Sequence, residues 1–405
     1  MMNGDNHLKG NRGEWGEAYA FCYILGTGKI TATDDDLIAH ENQSVLVKSV
    51  TRQESPDRTF QYEIDDKSST VSVIKNGLKL CSIPQSEFES NALVIFESIK
   101  TLKGRTFEIP KVTTFLKKIG CHKLKPSDTD KPDITVRIYE PIASLEYDMK
   151  YSVKCMAGSR PALVNSSGLT HVQYELIDFT DDDYNQLCAI PQNQVKKRVE
   201  ACKAHSSSIR FAGFTQEAST FKRNLARVHP YAETTLGYMI LESYTVKGKH
   251  SRQILERVKR LNPLNEADTS LYDIAFRQYL WAVFCGMVPS IEWHHKDTVD
   301  GFLLINAIGD VLSYPIVKRG AFEEHLVDAT CFDTPSTSKK RAASKTGSIY
   351  KQNGKYHLSL NLLIRYDANS AKAQNRSKVR CIKKAPRSSS SPQMVNNETI
   401  TFGYH

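Results

Sequence analysis

The sequence predicts an α/β protein: a mixed central sheet flanked by helices, then a helical subdomain and a C-terminal β segment. Three observations predict this. Period-two alternation dominates the first part of the chain and returns from Gly301 to Tyr366, whereas helical periodicity runs from Cys188 to about Met287. Composition is ordinary for a globular protein, with 40% hydrophobic and 24% charged residues, which excludes collagen-like, coiled-coil and wholly disordered chains. The 405 residues suffice for two or three domains.

Trp15, Ala18, Tyr19, Cys22 and Leu25 recur at helical spacing, and Gly26 to Gly28 end that helix. The runs SVLVKSV, RTFQYEI and STVSVI follow as strands, separated by Ser, Pro, Asp and Asn turn residues. Helical patterns return at Ser86 to Ile99 and Val112 to Ile119. After Pro132 come two alternating strands, DITVRIYE and MKYSVKC, joined by PIASLEYD. NQVKKRVEACKAH, SRQILERVKRL and SLYDIAFRQYLWAVFCGM read as helices broken at Pro and Asn. FLLIN, AIGD and VLSYPIV form a hairpin pattern, and SIYKQ meets KYHLSLNLLI at Asn353-Gly354, a tight-turn pair.

No apolar run approaches the roughly 18 residues that cross a bilayer. The opening MMNGDNHLKGNRGEWGE lacks the basic-then-apolar pattern of a secretory signal, so a cytoplasmic protein without membrane contact is expected. Nine cysteines lie between Cys22 and Cys381 with no C-x-x-C pair, which supports neither a zinc ribbon nor a disulfide framework. Lys and Arg exceed Asp and Glu by 54 − 45 = 9, a surplus that favours a polyanionic partner. Of it, 7 − 2 = 5 falls between Tyr366 and His405, where Lys372 to Arg387 form a basic appendage.

The chemistry is concentrated in residues 133 to 155. Asp133, Thr135, Arg137 and Tyr139 share one face of the first strand, and Lys150, Ser152 and Lys154 share the polar face of the second. A short connection makes an antiparallel pair. Such a pair can assemble a site for phosphodiester cleavage: Asp133 holds a hard divalent cation such as Mg²⁺, while Lys154 orients or deprotonates the attacking water and offsets phosphate charge. A lysine alone is inadequate, because acid–base help supplies about 10² to 10⁴ in rate against barrier reductions of about 8 to 23 kcal/mol.

The spacing Pro132-Asp133, then Ser152-Val153-Lys154, resembles the PD-(D/E)-x-K signature of the restriction-endonuclease superfamily, in the variant where serine replaces the acid before lysine. YSVKCMAGSRPALVNSSGLTHVQYEL, KGNRGEWGEAYAF, GFLLINAIGDVLSYPIV, FDTPSTSKK and GSIYKQNGKYHLSLNLLIRY resemble blocks of the HpaII family of type II restriction endonucleases. The resemblance spans Lys9 to Tyr366. It implies a restriction-endonuclease-like core and a bacterial, Mg²⁺-dependent enzyme that cuts both strands of double-stranded DNA at a short palindrome, CCGG being the expected target. A homodimer on DNA suits two-fold symmetric cutting. The domains expected are an endonuclease catalytic core at 1–187, a helical subdomain at 188–300, a C-terminal β segment for DNA recognition at 301–366, and a basic flexible tail at 367–405.

Ser152 cannot supply the missing negative charge, so a second metal-binding oxygen must come from elsewhere. Glu17 on the first helix is favoured; Glu14 lies one turn away, Asn165 offers a neutral amide oxygen, and Glu175 falls in a strand farther on. The loop GSRPALVNSSG, leading into a helix, could present backbone N–H groups to phosphate, which makes Arg160 and Asn165 DNA-contact candidates. Lys339, Lys340, Arg341 and Lys345 form the richest basic stretch, with the lysines suited to phosphates and Arg341 to a guanine edge.

Two other signals are set aside. LGTGKIT lacks the G-x-x-x-x-G-K-[ST] spacing and follows a helix, so no nucleotide cofactor is expected. His294 and His295 have no partner at metal spacing. Two rival functions use the same residues: a repair or structure-selective nuclease without base preference, and a non-catalytic DNA-binding protein.

Overall fold

The computed structural model describes residues 8–367 except 34–38, 56, 125–132, 141–143, 159, 246–247, 296–298, 317, 336 and 338–344. The chain opens with β1 (Lys9–Gly10) and α1 (Arg12–Thr27). Asn11 and Glu14 close a reciprocal capping box at the start of α1, and Gly28 ends it in the left-handed region at φ 67°. Strands β2 (Lys29–Thr33), β3 (Ala39–Ser55), β4 (Arg58–Asp65), β5 (Thr70–Lys75) and β6 (Leu78–Pro84) follow. Next come α2 (Gln85–Thr101), β7 (Phe107–Glu108), which pairs with β1, and α3 (Pro110–Lys118).

β8 (Ile134–Glu140) and β9 (Leu145–Cys155) form the expected antiparallel pair. β9 begins at Leu145, so the LEYD expected in the connection is strand, carried by alternating Leu145, Tyr147 and Met149. The nine-stranded sheet runs β2-β14-β13-β9-β8-β3-β4-β5-β6, with β13 (Gly301–Ile305) and β14 (Val311–Pro315) inserted beside β9. It is mixed: β13 is parallel to β9, and β14 is parallel to β2. The long β3 also pairs with β2, so its hydrogen-bonded path closes on itself.

Each face of the sheet serves a different core. Tyr151, Val153, Cys155, Leu303 and Ile305 pack with Trp15, Phe21 and Ile24 of α1. Phe302, Leu304, Leu312 and Tyr314 point into the other core, built from the helices α6 (Ser219–Val228), α7 (Ala232–Glu242), α8 (Ser251–Leu261), α9 (Ser270–Phe284) and α10 (Arg319–Asp328). A strand buried on both faces reads as a continuous apolar run, as GFLLI does. α1 is apolar nearly all round because it lies between the sheet and α2, against which Gly26 allows close approach to Glu89.

Helix α4 (Asp181–Cys188) precedes α5 (Val195–His205), and the helical region also contains β12 (Ser208–Phe214). That edge strand pairs with β11 (His171–Ile177) and packs Phe211 where Gly237 of α7 leaves room, so tertiary contact decides its conformation. The stretch 301–366 does not form one segment. β13 and β14 join the nine-stranded sheet; β16 (Ser348–Gln352) and β17 (Lys355–Asn361) join β11 and β12; β15 (Thr330–Phe332) and β18 (Ile364–Tyr366) join β10 (Ala162–Val164). Its apolar strands bury both faces in sheets begun far earlier in the chain, a pairing that local pattern does not encode.

Candidate active site

The register of β8 and β9 pairs Ile134 with Tyr151, which sets Asp133 opposite Ser152 at the strand end. The Asp133 N–H donates to the Tyr151 carbonyl at 2.9 Å. Its carboxylate Oδ2 accepts the Val153 N–H at 2.7 Å and the Ser152 hydroxyl at 3.1 Å. Lys154 Nζ in turn donates to Ser152 Oγ at 2.8 Å. Carboxylate, hydroxyl and ammonium thus form one chain, because period two puts Ser152 and Lys154 on the same face. This face changes character here. Toward β13 it is covered by Phe302 and Leu304; toward β8 it is open, with Arg137 and Lys150 exposed.

Glu17 approaches from α1. Its Oε2 atom is buried and has no hydrogen-bond partner among the described residues. Burial, and next the charge of Asp133, hold its carboxyl well above the usual carboxylate range, while Lys154 and Arg52 pull the other way. Two carboxylates in mutual repulsion, one with an orphaned oxygen, are a donor set suited to a hard cation. Mg²⁺ needs only one or two carboxylates because it keeps several waters. Among the described residues no group of three or more His, Cys, Asp or Glu side chains offers a fuller cage.

Arg52 and Glu54 are the residues that sequence reasoning missed. Arg52 Nε pairs with Glu54 Oε1 at 2.5 Å, both side chains buried, and its guanidinium also donates to the carbonyls of Lys123 and Leu124. The available signal was charge at inward positions: Val50, Arg52 and Glu54 are buried in succession along one face of β3.

The remaining candidates separate. Glu14 is occupied in the α1 cap, where it accepts the Asn11 N–H at 2.7 Å. Glu175 pairs with Arg210 at 2.6 Å and Lys355 at 2.9 Å in another sheet; hydrogen bonds from these cations lower its pKa to about 2. Asn165 is exposed just after β10, and among the described residues no hydrogen bond joins it to Asp133, Ser152 or Lys154. Its loop does not lead into an α-helix. β10 pairs with β18, and a single turn at Gly168–Thr170, capped by Ser167, returns the chain to β11, so the expected helix N-terminus does not form. Arg160 pairs with Asp367 at 3.0 Å. Lys345 is exposed before β16, 3.8 Å from Glu217. Lys339, Lys340, Arg341 and Pro132 lie outside the described residues.

LGTGKIT supplies a helix end and the start of β2. The described cysteines form no disulfide with one another. Among the described residues no helix is long and apolar enough to cross a membrane.

The family model of the HpaII restriction endonuclease matches residues 11–366. The chain is 29% identical over 367 residues to the "Type II restriction enzyme HpaII" of Haemophilus parainfluenzae, covering 89% of this chain and 99% of that protein. No solved structure matches the chain significantly. A match running from the start of α1 to the end of β18, with Glu17, Asp133 and Lys154 inside it, makes this chain a member of the HpaII restriction endonuclease family, whose members are site-specific deoxyribonucleases.

Proposed function

We propose that the chain is a Mg²⁺-dependent type II restriction endonuclease that cuts both strands of a short palindrome, with CCGG, the family's expected target, as first candidate. The observation that carries this reading is the Asp133–Ser152–Lys154 chain beside the orphaned Glu17 oxygen. Asp133 and Glu17 would hold the ion. When bound, Mg²⁺ supplies a fixed dication that offsets charge developing on the phosphate oxygens. Lys154 orients or deprotonates the attacking water and adds positive charge at the phosphate. Ser152 ties that ammonium to Asp133, so the two groups keep one geometry.

The nine-stranded sheet with α1 and α2 acts as a restriction-endonuclease-like core, and duplex DNA lies against its open face beside Lys154. Two copies on the palindrome would present two such sites in two-fold symmetry. Free thiols suit the reducing bacterial cytoplasm. The test is digestion of a sequenced plasmid with Mg²⁺ and mapping of the ends. Discrete bands ending at CCGG support the reading. A smear assigns a nuclease without base preference, and an intact but gel-shifted plasmid assigns a DNA-binding protein.

A further inference from the structure

A pocket of 510 Å³ opens beside the three-stranded sheet, with Arg160, Lys249, His250, Asp333 and Arg365 in its wall. Its charges are unevenly matched. Arg160 holds Asp367 at 3.0 Å, and Arg365 holds Asp333 at 2.5 Å, so both carboxylates are already engaged. Each guanidinium carries five N–H groups and retains donors beyond those bonds. Among the described residues no carboxylate stands within salt-bridge distance of Lys249; its ammonium donates to Thr334 Oγ1 and lies 5.9 Å from the Tyr244 ring centre. Burial pulls its pKa below that of a free lysine, with Asp333 opposing. A half-buried cation with no carboxylate at salt-bridge distance among the described residues carries a desolvation cost that an incoming anion offsets.

A second feature points the same way. The Nδ1 atom of His250 is buried with no hydrogen-bond partner among the described residues. His250 is also the N-cap of the 11-residue α8, whose first turn has neither an acidic residue nor a side-chain cap. The positive end of that helix dipole therefore lies at the pocket wall. Arg160 follows Lys154 by 160 − 154 = 6 residues, so their Cα atoms are at most about 20 Å apart. Phosphates of one strand repeat every ~3.4 Å along the duplex axis, which brings those a few steps from the cut within reach.

We propose that this pocket is a phosphate-binding site, centred on Lys249 and completed by Arg160, Arg365 and His250, that takes a backbone phosphate of the DNA a few steps from the cleaved bond. The assignment rests on the endonuclease reading above. It adds affinity and register without choosing bases.

The test uses the full chain in EDTA with two fluorescein-labelled duplexes, one containing CCGG and one lacking it, and reads anisotropy from about 50 to about 200 mM salt. Lys249→Met is expected to weaken both duplexes about tenfold and to lower the slope of log K against log salt by about 1. Lys249→Arg keeps the charge and is expected to restore both. Equal affinity and slope for Lys249→Met overturns the pocket assignment while wild-type binding and cutting leave the nuclease reading standing. Weakening that Lys249→Arg fails to restore also overturns it, because the lysine then acts through packing. A wild-type chain that binds neither duplex overturns both readings. Inorganic phosphate that raises the wild-type Tm but not that of Lys249→Met, with the DNA slope unchanged, assigns the pocket to free phosphate instead.

Discussion

A Cβ on Gly16 would lie 2.7 Å from the Cβ of Cys155. Gly16 precedes Glu17 and Cys155 follows Lys154, so this tight contact of α1 with β9 adjoins in sequence both the carboxylate and the ammonium of the candidate site. Gly16→Ala meets a Cβ fixed to a core strand, and the helix must move. The expected cost is about 1–3 kcal/mol in urea unfolding, with at least a tenfold loss of cleavage at saturating Mg²⁺. Unchanged cleavage would show that Glu17 does not depend on this contact.

Lys154→Ala is expected to lower plasmid cleavage by about 10² to 10⁴ while sparing DNA binding in a gel-shift assay. The Asp133 bonds to Val153 N–H and Ser152 do not involve the ammonium, so the strand end should persist. Cleavage within a factor of two of wild type removes Lys154 from the mechanism.

Glu17→Gln alone should abolish Mg²⁺-dependent cutting, and adding Ser152→Asp should recover at least part of it. The reason is positional: Ser152 Oγ lies 3.1 Å from Asp133 Oδ2, so an acid there restores a second carboxylate beside the first. Activity of Glu17→Gln equal to wild type, measured as plasmid linearisation, assigns the second oxygen to another residue.

Burial and the neighbouring Asp133 raise the Glu17 pKa, so the folded chain holds a proton there that the unfolded chain has released. Between the ordinary carboxylate pKa and the raised one, folding stability therefore falls as pH rises. In metal-free buffer the urea midpoint should drop more steeply as pH rises above the ordinary carboxylate range for wild type than for Glu17→Gln. Mg²⁺ added at the upper end should restore the wild type more than the variant, since binding favours the ionised carboxyl. Equal pH slopes in the two proteins would place the proton elsewhere.

Much of the site was legible because strand periodicity is local. Alternation alone put Ser152 and Lys154 on one face, and the short connection to DITVRIYE fixed their partner as Asp133. Glu17 was legible as a carboxylate beside the apolar stripe of α1, which a capping box and Gly28 delimit. The helix expected after GSRPALVNSSG was misread for the opposite reason. Pairing of β10 with the distant β18, together with the Asp367 contact, overrides the loop chemistry of GSRPALVNSSG.

The sequence by itself determined the helices, the hairpin and the residue types of the Asp133–Ser152–Lys154 chain, since backbone sterics and side-chain periodicity act over a few residues. Only the tertiary structure decided that β13 and β14 would lie beside β9, that α1 would press Gly16 against Cys155, and that Arg52 would be buried with Glu54 near Glu17. Those outcomes depend on which apolar faces meet across hundreds of residues, and it is this burial that leaves Glu17 charged only at a cost.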